Sequence, residues 1–244
     1  MKSNPNNILD GLFERGNVQY FYKDSTNKCM REFPIKELVG EGRFGSVFVT
    51  CIAHNCNYIV KLVPLHVFIP TTNCDLSRQK TSECESVSKV VFEQEIKFSK
   101  LFSDLDIGPK FLVGGICDGI ANKYQDYPKG FSVGFIVQEK WDMSLEDYAY
   151  QFPDKTVENY DIIEKILLTK AHKFDEYGHF HWDLHAGNVL LRLDKENNVV
   201  DLTPTDFGFM EKGDADNTTT KTAELSLQNL KDKLKQFSSK RHKA

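Results

Sequence analysis

The sequence lacks any apolar run close to the ~20 residues that a membrane-spanning helix needs. It also lacks a strong charge of one sign, because 31 basic residues stand against 35 acidic ones and the net charge is −4. Such a balance gives no general attraction to nucleic acid or to an anionic membrane. The opening MKSNPNNILDGLFERG has no basic-then-apolar arrangement, so we expect no secretion signal. These absences predict a soluble globular protein that binds neither nucleic acid nor membrane.

The cysteines lack the close C-x-x-C spacing that marks many metal and redox sites. Without that spacing, we expect free thiols in a reducing compartment, and therefore a cytoplasmic protein. The stretch CIAHNC offers two thiols and an imidazole, but without a fourth ligand it is weak evidence for zinc. The six cysteines are Cys29, Cys51, Cys56, Cys74, Cys84 and Cys117.

The first half of the chain is rich in strand-forming segments. FPIKELV, SVFVTCIA, YIVKLVPL and GFSVGFIVQEKW are β-branched or aromatic, and HNCN supplies a turn between the second and the third. Residues 66–89 are polar and predict a long surface loop. VVFEQEIKFSKLFSDL then predicts a helix over residues 91–105 because its apolar residues recur at helical spacing.

The second half is richer in helix. TVENYDIIEKILLTKAHKFDEYG predicts a helix with Thr156 as N-cap and Gly178 as its stop, and residues 222–237 predict a second, amphipathic helix. Two short strands are expected within NVLLRLDKENNVVDLTPTDFG. The change of character predicts an α+β chain of two lobes, residues 33–140 and 141–244, that share a cleft. Residues 1–32 are an N-terminal extension, either a flexible arm or an extra strand.

The stretch VGEGRFGSVFV places Gly40, Gly42 and Gly45 in a G-x-G-x-x-G spacing. A dinucleotide-binding turn would need a helix next, but SVFVTCI is strand-forming. A P-loop would need a lysine before Ser46, which the sequence does not have. A strand–turn–strand flap over nucleotide phosphates remains, with an ordinary hairpin turn as the alternative.

Lys61 lies inside the apolar run YIVKLVPL. A buried ammonium is costly unless an anion pairs with it, so Lys61 suits a phosphate site in which a helical carboxylate holds it in place. Glu95 is the first choice for that carboxylate and Glu93 the second. The alternative is a lysine on an edge strand with its ammonium in solvent.

The stretch HWDLHAGNVLL contains two histidines, a residue type that binds zinc. The zincin pattern needs glutamate where Trp182 stands, and flanking glycines favour a loop over a helix. Phosphoryl transfer explains the stretch better, because it needs a carboxylate to accept the proton of the attacking hydroxyl and oxygen ligands for Mg²⁺. Asp183 supplies the first, and Asn188 and Asp206 supply the others.

Five ordered stretches, GEGRFGSV, IVK, FEQEI, HWDLHAGNVLL and DFG, resemble the protein-kinase superfamily over residues 36–210. The resemblance implies a bilobal α+β fold, ATP and Mg²⁺ as cofactors, and a protein substrate that carries Ser or Thr. The chain looks like a minimal or atypical serine/threonine kinase, similar to the compact kinases of large DNA viruses. A viral protein of this kind would act in the host cytoplasm.

The resemblance also assigns roles to individual residues. Asp183 is the catalytic base, Lys61 contacts the α- and β-phosphates, and Gln138 is the gatekeeper. Asn188 and Asp206 hold the metal. The other residues that the resemblance places around ATP are Val39, Gly40, Glu41, Gly42, Arg43, Phe44, Gly45, Ser46, Val47, Ile59, Glu95, Glu139, Trp141 and Leu190.

The chain departs from the family in three places. Trp182 replaces the usual arginine before the catalytic aspartate, so control by a phosphate on the activation loop is not expected. His185 stands where Ser/Thr kinases carry lysine, which makes it a candidate contact to the γ-phosphate. No A-P-E segment follows Gly208, so we expect a truncated C-lobe in which the helix at 222–237 stands in for the missing helices. These departures keep two alternatives open: a pseudokinase binding module, and a small-molecule kinase of the aminoglycoside or choline type.

Overall fold

The computed structural model describes residues 9–14, 17–21, 35–41, 45–52, 54–65, 82–120, 131–214 and 218–241. The chain divides into two compact units, one of residues 1–96 and 111–140 and the other of residues 97–110 and 141–244. The helices are α1 Ser82–Asp104, α2 Leu145–Gln151, α3 Pro153–Glu158, α4 Tyr160–Glu176 and α5 Thr219–Arg241. The strands are β1 Leu9–Glu14, β2 Asn17–Phe21, β3 Ile35–Glu41, β4 Ser46–Ile52, β5 Asn55–Pro64, β6 Phe111–Ile120, β7 Phe131–Glu139, β8 Met143–Ser144, β9 His179–His181, β10 Val189–Leu193, β11 Val199–Pro204 and β12 Met210–Lys212.

The first unit is built on an antiparallel sheet of order β3-β4-β5-β7-β6. Side chains alternate across a strand, and both faces of β5 are apolar. Val60 and Leu62 pack into one buried cluster, whereas Val63 packs into another with Phe92 of α1. A Cβ on Gly134 of β7 would overlap the Phe92 ring, so a glycine there lets α1 approach the sheet. Strand periodicity therefore puts Lys61, two residues before Val63, on the α1 side.

The second unit packs α4 and α5 around one large core. Ile163, Leu167 and Ala171 of α4 are fully buried, in the same cluster as Leu227 and Leu230 of α5. Two small antiparallel sheets, β11-β10-β8 and β12-β9, carry the loops of the candidate site. None of the helices in the described ranges combines the length and apolar character needed to cross a bilayer.

Several local predictions need correction. The helix predicted at 91–105 begins earlier, at Ser82, so residues 82–89 are not loop, and residues 66–81 lie outside the described residues. Thr156 is not an N-cap but lies inside α3, where its hydroxyl donates to the carbonyl of Phe152. The HNCN turn is shorter than predicted because β5 already begins at Asn55.

Two predicted features are present in the structure, and one strand was not predicted. The amphipathic helix at 222–237 exists and is longer at both ends, as α5. Gly178 follows α4 with φ +71, a left-handed conformation that favours glycine. β6, a ten-residue strand, was missed because its two adjacent glycines and Asp118 weaken the strand pattern. The extension at 1–32 contains the β1–β2 hairpin.

The expectation of free thiols is wrong for the described cysteines. Cys51 and Cys56 form a disulfide across the β4–β5 hairpin, and Cys117 is also disulfide-bonded. The antiparallel pairing of the two strands brings Cys51 and Cys56 together, which also removes them as zinc ligands. Disulfides persist in oxidising surroundings, so these bonds remove the argument that led from the cysteines to a reducing compartment.

Candidate active site

In the first unit, Lys61 and Glu95 form an ion pair. The Nζ atom of Lys61 lies 2.7 Å from Oε1 of Glu95, and the two side chains are 21% and 3% exposed. Glu93 is exposed, since a step of two residues turns a helical side chain to the opposite side. A carboxylate this buried needs a cationic partner, so α1 fixes the position of the lysine ammonium on β5.

The glycine-rich turn joins β3 to β4, and part of it lies outside the described residues. Gly42, Arg43 and Phe44 belong to that part, and for Glu41 only the backbone is described. A Cβ on Gly45 would overlap the carbonyl oxygen of Leu62. Close packing of the turn on β5 is therefore one reason for glycine at this position, independent of any phosphate.

The side chains predicted around the adenine differ in exposure. Val39 is exposed, Gly40, Val47 and Ile59 are half-buried, and Gln138 is nearly buried. Ser46 is fully buried on the face of β4 opposite Val47, and its Oγ has no hydrogen-bond partner among the residues described. The Ser46 side chain is therefore not available to a ligand on the Val47 face.

The remaining predicted adenine-site residues lie where β7 ends and in β10. Glu139 and Leu190 are half-buried. Trp141 is also half-buried, and Arg192 stacks on its indole with the guanidinium 4.5 Å from the ring centroid. The Trp141 side chain thus packs within the second unit, so its predicted role depends on its backbone groups alone.

In the second unit, Asp183 and Asn188 lie in a hydrogen-bonded loop between β9 and β10. The side-chain amide of Asn188 donates to the carbonyl oxygen of Asp183 at 2.9 Å, and it lies 3.5 Å from the Asp183 carboxylate. The backbone N–H of Asn188 donates to the carbonyl of His185, which closes the 3₁₀ turn at residues 186–188. The side-chain nitrogen of Asn188 donates to Asp183. The side-chain oxygen of Asn188 is the atom of this amide that could bind a metal.

His185 caps the same turn. Its Nδ1 accepts a hydrogen bond from the backbone N–H of Gly187 at 3.1 Å. An accepting Nδ1 places the proton of the neutral ring on Nε2, which is then a donor on an exposed side chain. The capping contact gives His185 a structural role beside any role toward a phosphate.

Asp206 has a left-handed backbone, with φ 62 and ψ 68. Non-glycine residues rarely adopt this conformation, and it is held only where the surroundings enforce it. Here the next residue, Phe207, is buried against the rings of Phe102, Phe174 and His181. The buried ring anchors one side of Asp206, so the carboxylate is carried by a fixed backbone.

A buried histidine connects the Asp183 loop to Asp206. Nε2 of His181 lies 3.0 Å from the carbonyl oxygen of Thr205, and the backbone N–H of Thr205 donates to the carbonyl of Asn188. His181 is fully buried, and this burial lowers its pKa below the usual 6.5. The neutral ring donates through Nε2, so one hydrogen bond ties the strand before Asp183 to the residue before Asp206.

The donors present suit Mg²⁺ that arrives with phosphate. No group of three His, Cys, Asp or Glu side chains able to hold a metal occurs within the described ranges. Mg²⁺ commonly takes only one or two protein carboxylates, together with water and substrate phosphates. Asp206 provides a carboxylate and Asn188 an amide oxygen, so the residues fit a metal that would bind as its nucleotide complex.

Two contacts near the site were not predicted from the sequence. Trp182 packs edge-on against Phe209, which follows the DFG stretch, with ring centroids 5.8 Å apart. Asp175 of α4 accepts hydrogen bonds from the first backbone N–H groups of α5. A run of threonines before a periodic helix is a recognisable N-cap signal and would have placed the start of α5 correctly.

Comparison with known protein families finds a match in the second half of the chain. Residues 139–238 match the family model described as ABC1 atypical kinase-like domain. No curated protein matches the chain. The match covers about two fifths of the sequence and includes Asp183, Asn188 and Asp206. It supports a protein-kinase-like superfamily and the potential for kinase-like phosphotransfer, and the mixed α/β structure is consistent with that fold.

Proposed function

We propose that the chain is an ATP-dependent kinase that transfers the γ-phosphate to a Ser or Thr hydroxyl of a protein. The observation that carries this proposal is the arrangement in the second unit. There a half-buried aspartate, an asparagine anchored to it and a left-handed aspartate share one hydrogen-bonded frame. Phosphoryl transfer requires these groups, and the family match spans all three.

In the proposed reaction, the Asp183 carboxylate orients the substrate hydroxyl and accepts its proton. The hydroxyl oxygen bonds to the γ-phosphorus as the bond to the β,γ-bridging oxygen breaks, and ADP leaves. Asn188 and Asp206 would hold Mg²⁺, which when bound would neutralise charge on the phosphates. Lys61, held by Glu95, binds the α- and β-phosphates, and Nε2–H of His185 donates to the γ-phosphate.

The choice of a protein hydroxyl rests on the resemblance, since the catalytic loop has no feature of tyrosine kinases. A binding module without transfer is the second candidate, favoured by Trp182 in place of the usual arginine. The half-exposed indole of Trp182 contacts Phe209, so it cannot read a phosphate as an arginine would.

In the test, purified protein is incubated with labelled ATP and Mg²⁺. The possible phosphate acceptors are the protein itself, a basic protein, and a panel of small alcohols and amines. We expect Mg²⁺-dependent labelling of protein Ser or Thr, reduced about 10²-fold in Asp206→Asn because the metal loses its carboxylate. Asp161→Asn, a change of an exposed carboxylate on α4, is the matched control and should transfer normally. ATP that raises the melting temperature without any transfer would favour the binding module. Labelling of the small alcohols or amines would identify a small-molecule kinase.

A further inference from the structure

Among the described residues, a single hydroxyl bonds to one edge of β9, the strand that leads into Asp183. β9 pairs with β12 on its other edge, with Phe180 opposite Glu211. On the free edge, the backbone N–H of His181 donates to Oγ1 of Thr219 at 3.0 Å, and that hydroxyl donates to the carbonyl of His179 at 3.1 Å. The N–H and C=O groups of residues two apart point the same way along a strand. The Thr219 hydroxyl therefore fills the place that a neighbouring strand would take.

Thr219 is itself firmly held. It is the first residue of α5 and is fully buried. The carboxylate of Asp175 on α4 accepts from the backbone N–H groups of Thr219 at 2.6 Å and Thr220 at 3.1 Å, and also from the Thr220 hydroxyl. A carboxylate that caps a helix start satisfies N–H groups that the helix leaves unbonded, and it also favours the positive end of the helix dipole.

Through these hydrogen bonds, α5 contacts both the core of the second unit and the strand before Asp183. Its buried side chains pack on α4, its first turn is fixed by Asp175, and its first hydroxyl fixes β9. Asp183 lies two residues after the end of β9, so only a short segment separates it from the hydrogen bond between His181 and Thr219. We propose that Thr219 is a positioning residue for Asp183, through which α5 sets the geometry of the catalytic loop. This inference rests on the proposed phosphotransfer function.

The test compares Thr219→Val, which keeps the shape and removes the hydroxyl, with Thr219→Ser, which keeps the hydroxyl. Thr222→Val is the matched control, because the Thr222 hydroxyl donates only within its own helix start, to the carbonyl of Thr218. For each variant we measure kcat, KM for ATP, the melting temperature, and hydrogen exchange of the backbone amides of residues 179–185. The exchange measurement needs no turnover, so it reports on the loop directly.

We expect Thr219→Val to lower kcat about 10-fold or more, since small displacements of a catalytic group cost rate steeply, while KM for ATP changes less than about 2-fold. Its His181 amide should exchange faster than in the wild type, and Thr219→Ser should recover both kcat and protection. Thr222→Val should resemble the wild type in kcat and in exchange at 179–185.

Three results would overturn the inference: unchanged exchange at 179–185 in Thr219→Val, a kcat that falls only in step with the folded fraction, or a Thr219→Ser variant as impaired as Thr219→Val. A wild type that transfers no phosphate refutes the proposed function instead. The exchange data then decide alone whether Thr219 anchors the loop.

Discussion

The two units of the chain hold their polar groups in place by different means. The first unit contains all six cysteines, a disulfide across the β4–β5 hairpin and the buried Lys61–Glu95 pair. The second contains no cysteine, and its site is held by buried aromatic rings and backbone hydrogen bonds around Asp206 and Asn188. The family match lies almost wholly in the second unit. The comparison shows two ways to stabilise polar groups. The first unit uses a disulfide and an ion pair, whereas the second uses ring packing and backbone hydrogen bonds, and each unit contains residues proposed for one reaction.

The largest effect is expected from removing the ion pair of the first unit, which tests whether that pair is needed for both stability and transfer. Lys61→Met should lower transfer about 10²-fold, because the phosphates would lose the cation that we propose binds them. It should also lower the free energy of unfolding by about 1–3 kcal/mol, because a carboxylate only 3% exposed loses its 2.7 Å partner. Lys140→Met, a change of an exposed lysine, is the control for loss of charge.

Both consequences of Lys61→Met are measurable, by phosphate transfer and by denaturant unfolding. A variant that unfolds at room temperature would mean that Lys61 is chiefly structural. A variant with normal transfer would remove Lys61 from the phosphate site, and the comparison would then rest on the second unit alone.

The disulfide gives the next largest expected effect. Replacing both Cys51 and Cys56 by Ala should destabilise the first unit by about 2 kcal/mol, the loop-closure value for so short a loop. Hydrogen exchange should therefore quicken in β4 and β5 and stay unchanged in α4. Equal changes in both units would show that they unfold together, and alkylation of Cys51 without reductant would show that the bond is absent.

The pH dependence should act on the second unit. Burial lowers the pKa of both His181 and His179 below 6.5, so the unfolded chain binds protons that the folded chain does not. The contribution of these two histidines to the free energy of unfolding is fully present above pH 6.5. It is lost as the pH falls below 6.5. The hydrogen bond to the carbonyl of Thr205 and the nearby carboxylates of Asp206 and Asp183 oppose this lowering of the His181 pKa.

The check is the free energy of unfolding between pH 7.5 and 5.5 for the wild type and for His181→Asn. The variant should lose less stability over this interval than the wild type does. His54→Asn, a change of an exposed histidine in the first unit, is the control for the substitution itself. An identical slope in the wild type and His181→Asn would refute the account of His181.

The sequence predicts the local structure around the candidate residues better than it predicts the contacts that hold them in place. The β-branched, apolar run YIVKLVPL is enough to predict a strand around Lys61, and the position of Glu95 directly before the apolar Ile96 favours it over Glu93. The motif HWDLHAGN favours a loop for Asp183 and Asn188, which the structure contains. The disulfide escapes prediction because it depends on the register of two strands, and cysteine spacing alone does not reveal a register. The Thr219 contact joins residues 38 apart in the chain, and no periodicity reports such a distance.

The most direct measurement of the central claim is the ratio of phosphate transfer to ATP binding in Asp183→Asn. The account predicts ATP affinity within about 3-fold of the wild type and transfer lowered about 10²-fold or more, because only the proton acceptor is lost. Transfer by Asp183→Asn at the wild-type rate, with the same ATP affinity, would contradict it.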